Sequence, residues 1–117
     1  MHYSFFAMGL TKTDLFTEEQ NELAQFARVM GHPARIAILE CLIKANACVN
    51  AELVGEVGLA QATVSQHLKE LKASGLISGS VQGTSMSYCI NPKKWNEVKG
   101  LLNQFFDRFN LPNMDCC

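Results

Sequence analysis

A chain of 117 residues, 48% hydrophobic and 18% charged, can fill one packed core and is too apolar for wholesale disorder. It has no apolar run near the ~18 residues that span a bilayer, and its apolar start lacks a basic leader and a cleavage site, so a cytoplasmic protein with no membrane partner is expected. The net charge of −1 excludes a simple polycation; yet residues 61–94 hold Lys69, Lys72, Lys93 and Lys94 against Glu70 alone, a local +3 compatible with a modest nucleic-acid footprint.

One domain, 1–117, is expected, with residues 1–16 as an N-terminal extension. Thr17 and Gln20 have capping-box spacing, and Leu23, Phe26, Ala27 and Met30 then recur at helical intervals until Gly31. Pro33 suits the first turn of a second helix that shows Ile36, Leu39, Leu42 and Ile43 on one side and ends near Asn46. A short third helix, about 50–57, closes at Gly58. The fourth lies in "GLAQATVSQHLKELKASGL", residues 58–76, with Gly75 as its C-cap and Lys72 complementing the helix dipole.

The period then changes to two in "LISGSVQGTSMSYCI". Met86, Tyr88 and Ile90 alternate with Ser85, Ser87 and Cys89, and Gly83 lies in the turn between two short strands. Asn91 and Pro92 open a last helix on which Trp95, Val98, Leu101, Leu102, Phe105, Phe106 and Phe109 form a broad apolar stripe. Residues 110–117 form a flexible, Cys-containing tail. The fold class that results is mainly α with a small β-hairpin, a winged helix-turn-helix in the order α-α-α-α-β-β-α. The terminal stripe, with Leu23, Phe26 and Met30, exceeds what one small domain covers. Packing of the first and last helices against a second copy, as a homodimer, is expected.

The fourth helix divides into two flanks. Val64, His67, Leu68 and Leu71 share one side; Ala62, Ser65, Gln66, Lys69 and Ala73 share the other. Small residues at 62 and 65 let that side approach a surface closely. Gln66, and Gln61 from the helix start, suit an adenine edge, while Thr63, Ser65 and Lys69 suit phosphate or mixed contacts. The bland alternative is an ordinary solvated helix face.

"GHPARIAILECL", "GLAQATVSQHLKELKASGLI" and "YCINP" resemble the ArsR/SmtB family of winged-helix repressors, over about Leu23 to Phe109. The resemblance implies a homodimer that binds double-stranded operator DNA and releases it when an inducer binds. Carried over by position, Gln61, Thr63, Ser65, Gln66 and Lys69 are the DNA-reading residues, and His67 is assigned to packing or a local hydrogen bond. Two departures stand out. Ala60 replaces the usual polar cap of the fourth helix. The hairpin tip "SGSVQGTS" has no Arg or Lys, leaving hydrogen bonds from Gln82, Thr84 and Ser85 as the expected wing contribution.

The five cysteines are odd in number, so in a reducing compartment they are expected to be thiols rather than a disulfide scaffold. A zinc site on the last helix is not expected, because none of the three histidines lies there. The adjacent thiolates of Cys116 and Cys117 suit a soft centre with few ligands. Trivalent arsenic or antimony, which takes three sulfurs, is therefore the expected inducer, and the protein needs no resident cofactor. Cys48 is preferred as the third ligand and Cys89 is the alternative. Cys48 lies near the position where family members with a "CVC" sequence place inducer ligands. Cys41 is expected to be buried at a helix contact.

Three rivals remain. Oxidant or reactive sulfur is an alternative signal, although Cys41 is off by one from the second-helix cysteine of such family members and has no partner in the last helix. An enzyme with a cysteine nucleophile is not expected, for no Cys, His and acid stand in a suggestive arrangement. The uncharged wing favours a protein-binding winged helix without DNA or metal sensing.

Overall fold

The structure, a computed structural model, describes residues 15–54 and 58–109. The expected extension (1–16) and tail (110–117) therefore lie almost wholly outside the described residues. Helix α1, Glu18–Met30, begins at a complete capping box: the Thr17 hydroxyl accepts from the Gln20 N–H at 3.0 Å, and Gln20 Oε1 accepts from the Thr17 N–H at 3.0 Å. Helix α2, Pro33–Ala45, is capped by His32, whose Nδ1 accepts from the Ala34 N–H at 3.0 Å. It ends at Asn46, in the left-handed conformation (φ 51°) that Asn tolerates.

The buried face of α2 differs from expectation. Ile38, Leu39 and Leu42 enter the core, whereas Ile36 and Ile43 are exposed, Ile43 by 51%. This helix is apolar almost all round, so periodicity could not select the inward side.

A two-residue strand β1, Val49–Asn50, precedes a short helix α3, Ala51–Val54, with residues 55–57 outside the described set. Asn50 Oδ1 accepts from the Glu52 N–H at 2.8 Å, an Asx cap where strand passes into helix. Helix α4, Gln61–Ser74, ends at Gly75 (φ 90°), and strands β2, Ile77–Gln82, and β3, Ser85–Ile90, follow. Gln82 opposes Ser85 across a two-residue Gly83–Thr84 turn. Gly83 alone of the pair has positive φ (67°), the II′ pattern that matches strand twist. Helix α5, Pro92–Phe106, is capped by Asn91, whose Oδ1 accepts from the Lys94 N–H.

The hairpin is one part of a three-stranded antiparallel sheet, order β1-β3-β2, in which Val49 opposes Tyr88 and Asn50 opposes Ser87. Strand β1 is an addition to the expected element order; two residues are too few to show a period in sequence. The core unites Phe26 and Val29 of α1, Ile38, Leu39 and Leu42 of α2, Val64, Leu68 and Leu71 of α4, Leu76 and Ile77, and Val98 of α5. Helices α1 and α2 thus pack against one side of α4, which fixes the direction in which its other side faces.

Phe26 contributes to this core and so is not part of an uncovered stripe. The exposed aromatic side chains instead stand near the end of α5 and the start of α1. Phe105, Phe106 and Phe109 are exposed, Phe106 by 68%, and so are Leu15 and Phe16. The Arg108–Glu19 ion pair (2.8 Å) ties this end of α5 to the start of α1.

Candidate nucleic-acid interface

Helix α4 presents the division expected of it. Val64, Leu68 and Leu71 are at most 2% exposed, while Gln61, Thr63, Ser65, Gln66 and Lys69 are all exposed. Nothing among the described residues covers these five, so the flank is open to a surface. Ala62 and Ser65 keep it shallow. Gln66 Nε2 donates to Glu70 Oε2 at 3.5 Å, at the limit of a hydrogen bond, so the amide is only weakly held and can turn to another partner. Lys69 has no ion pair among the described residues.

The start of α4 is unsupported. Ala60 stands at the N-cap in extended conformation, its carbonyl accepting from the Thr63 and Val64 N–H groups at 3.0 Å, and no side chain caps the helix. The open N–H groups of the first turn carry the positive end of the helix dipole toward whatever the flank meets.

His67 lies on the inward side, 7% exposed. Its Nδ1 accepts from Arg35 Nε at 3.0 Å, which leaves a neutral imidazole with its proton on Nε2. Arg35 Nη1 also donates to the Val29 carbonyl at 3.0 Å, and the His32 ring lies 4.4 Å from that of His67, centroid to centroid. Burial, then the neighbouring His32 and Arg35 charges, hold His67 below the ordinary histidine value; Glu70 opposes them. One guanidinium thereby joins the end of α1, the start of α2 and the middle of α4. The sequence indicated an inward His67 but not Arg35 as its partner, since 32 residues separate them.

The wing adds little charge. Gln82 and Thr84 are exposed at its tip. Ser85, expected to offer its hydroxyl, already accepts from Asn50 Nδ2 at 3.3 Å and donates to the Gln82 carbonyl at 3.4 Å. It braces β3 against β1 rather than pointing outward.

The expectation that all cysteines are thiols is corrected at one pair. Cys48 and Cys89 are joined as a disulfide, their Cα atoms 4.3 Å apart. The register that opposes Val49 to Tyr88 places Cys48 directly opposite Cys89, one step beyond the strand end. The two candidates for a third sulfur ligand are thus bonded to each other in this state. Cys41 is a free thiol, half-buried against the core. Cys116 and Cys117 lie outside the described residues. Among the described residues, no three His, Cys, Asp or Glu side chains gather as a metal would need. Nor is any described helix long and apolar enough to cross a membrane.

Residues 32–78 match the family described as "Bacterial regulatory protein, arsR family". The chain is 37% identical over 67 residues to the HTH-type transcriptional regulator Rv0081 of Mycobacterium tuberculosis, covering 57% of this chain and 59% of that one. It is 32% identical over 89 residues to nodulation protein NolR of Rhizobium meliloti, covering 76% of this chain and 72% of the relative. The crystal structure of Rv0081 superposes with a TM-score of 0.63 at 26% identity, over 80% of this chain and 93% of that chain. Of these relatives, Rv0081 is described as a transcriptional regulator. With an open α4 flank, a winged hairpin beside it and NolR-level identity over most of its length, the chain belongs to the arsR family of bacterial regulatory proteins and has the winged helix-turn-helix fold.

Proposed function

We propose that this chain is a cytoplasmic transcriptional repressor that binds double-stranded operator DNA as a homodimer. The observation that carries the reading is the open flank of α4. Gln61, Thr63, Ser65, Gln66 and Lys69 are exposed together on a helix whose opposite side is locked into the core. Gln66, and Gln61 beside the helix start, meet base edges in the major groove; Lys69, Thr63 and Ser65 meet phosphate and sugar. Phe105 and Phe106 on α5 and Phe109 just beyond its end, with α1 alongside, pack against the second copy, because exposed aromatic area of this kind is characteristic of interfaces. A two-fold axis through that contact sets the two α4 helices about 34 Å apart, one turn of the duplex. The relative described as "Transcriptional repressor PagR" of Bacillus anthracis, 32% identical over 80 residues, supports the repressor role.

The inducer in this reading is trivalent arsenic or antimony, or another soft metal ion, held by Cys116, Cys117 and Cys48. Arsenous acid and three thiols give a pyramidal As(S)3 centre and three waters. Cys48 enters that centre only when its bond to Cys89 has been reduced. Binding then shifts the dimer away from the 34 Å arrangement, for which a preference of a few kcal/mol between states suffices.

The test is fluorescence anisotropy of a duplex selected from random-sequence DNA, on reduced protein with and without arsenite. Arsenite should release the wild-type protein and leave a Cys116→Ser/Cys117→Ser variant bound. An undiminished arsenite response in that variant removes the tail from the site; no duplex binding at any salt concentration removes the repressor reading itself.

A further inference from the structure

The geometry points to a reversible thiol–disulfide exchange site at Cys48 and Cys89, whose reactants are low-molecular-weight thiols and disulfides; we propose that its oxidation state sets how tightly the DNA-reading unit holds the duplex. The second half of that statement rests on the repressor reading above.

Three observations place the site. Cys48 and Cys89 are directly opposed one step beyond the β1–β3 ladder, so the two sulfurs meet without displacement of the backbone. Cys48 is exposed and Cys89 half-buried, so a small reagent reaches the first sulfur from solvent. The bond also borders a cavity of about 400 Å³, lined by Ile43, Asn46, Ile90, Trp95 and Asn96 as well as the two cysteines. That cavity gives the body of a small thiol compound a place to rest while its sulfur reacts.

Exposure orders the steps. In the reduced protein the Cys48 thiolate attacks one sulfur of a small disulfide RSSR, forming a mixed disulfide and expelling RS⁻. The Cys89 thiolate then attacks the Cys48 Sγ and expels the second RS⁻. The two cysteine protons end on the two expelled thiolates. Two cysteines are oxidised and one RSSR is reduced to two RSH; an excess of RSH drives the same steps backward.

The bond is placed where it matters for DNA. It spans a sequence separation of 41 residues, and the closed segment contains α3, all of α4, β2 and the wing tip. Every residue assigned to DNA lies within it. Apart from this bond, β1 contributes only two residues and the Asn50–Ser85 hydrogen bond to this edge of the sheet, beside the packing of β3 on α2. The oxidised form therefore fixes the wing root and the helix-turn-helix against α2, pre-organising the surface that meets DNA. Reduction loosens that root and weakens binding.

The full-length protein, equilibrated in glutathione buffers of graded ratio, is analysed by differential alkylation and mass mapping while circular dichroism monitors folding. Cys48 and Cys89 should open and close together with the fold intact. The selected duplex should be bound at least about fivefold more tightly by the oxidised form, the lower end of ordinary coupling. A Cys41→Ser/Cys116→Ser/Cys117→Ser variant should keep that difference, and a Cys48→Ser/Cys89→Ser variant should lose it. A bond that opens only on unfolding, a dithiol that glutathione disulfide never closes, or equal affinity of the two forms each overturns the proposal. If neither form binds any duplex, the repressor reading fails and the claim about affinity fails with it, while the alkylation map still decides whether the exchange site exists.

Discussion

Substituting Ala60→Ser should stabilise this protein, and the size of the effect follows from the first turn of α4. The residue occupies the N-cap in the extended conformation a capping side chain needs, and lacks only the oxygen. A serine hydroxyl there would accept from the N–H of Ala62 or Thr63. The Thr63 N–H already reaches the Ala60 carbonyl at 3.0 Å, so the gain comes mainly from Ala62. This puts the effect in the lower part of the capping range, about 0.5–1 kcal/mol. For a domain of this size that corresponds to roughly 2–4 °C in melting temperature. The assay is thermal unfolding followed by circular dichroism, at one protein concentration, because dimerisation makes the midpoint concentration-dependent. Ala60→Val is the control and should give no gain, having no acceptor. A midpoint for Ala60→Ser at or below wild type would mean that the start of α4 is already satisfied, and the capping argument fails.

Other outcomes follow from the packing. The unfolded chain takes up a proton at His67 near pH 6.5, where the folded chain does not, so stability should be full above that value and fall as pH drops below it. Melting at about pH 7.5 and about pH 5.5 should therefore differ more for wild type than for His67→Gln; equal losses would dissociate His67 from the effect. At Gly79 an added Cβ would lie 2.9 Å from Tyr88 Cε1 and 3.1 Å from Met86 Cε, so Gly79→Ala should lower the urea midpoint by the equivalent of about 1–3 kcal/mol; an unchanged midpoint refutes that crowding. Phe106→Asp, at a side chain 68% exposed in the single chain, should shift light-scattering mass toward the monomer without loss of helicity; a persistent dimer moves the interface elsewhere.

Much of this was readable from residue order, and the failures share a cause. Caps at Thr17, Pro33, Gly75 and Asn91 are local signals, and each stands where the element begins or ends. Helix α4 carries one clear apolar side, so its inward and outward flanks could be told apart. Helix α2 has apolar residues almost all round, and only the packing of its neighbours decides that Ile38 enters and Ile43 does not. Long-range pairings left no local trace. Arg35 and His67 meet because α2 packs on α4, while Asn50 and Ser85, and Cys48 and Cys89, meet because β1 joins the sheet, an event that two residues cannot announce. The odd cysteine count, sound as compositional reasoning, gives no information on which two are opposed across a ladder.

The most direct test of the account is a salt titration of duplex binding, with DNA selected from a random-sequence library, for wild type, Lys69→Ala and Gln66→Ala. Wild-type affinity should fall linearly with salt on logarithmic axes, and Lys69→Ala should weaken all sequences alike and reduce the slope by about one. Gln66→Ala should cost about 1–3 kcal/mol on the selected duplex and relax its preference at one base pair. Salt-independent binding, or two variants indistinguishable from wild type in affinity, slope and sequence preference, would contradict the assignment of the α4 flank to DNA.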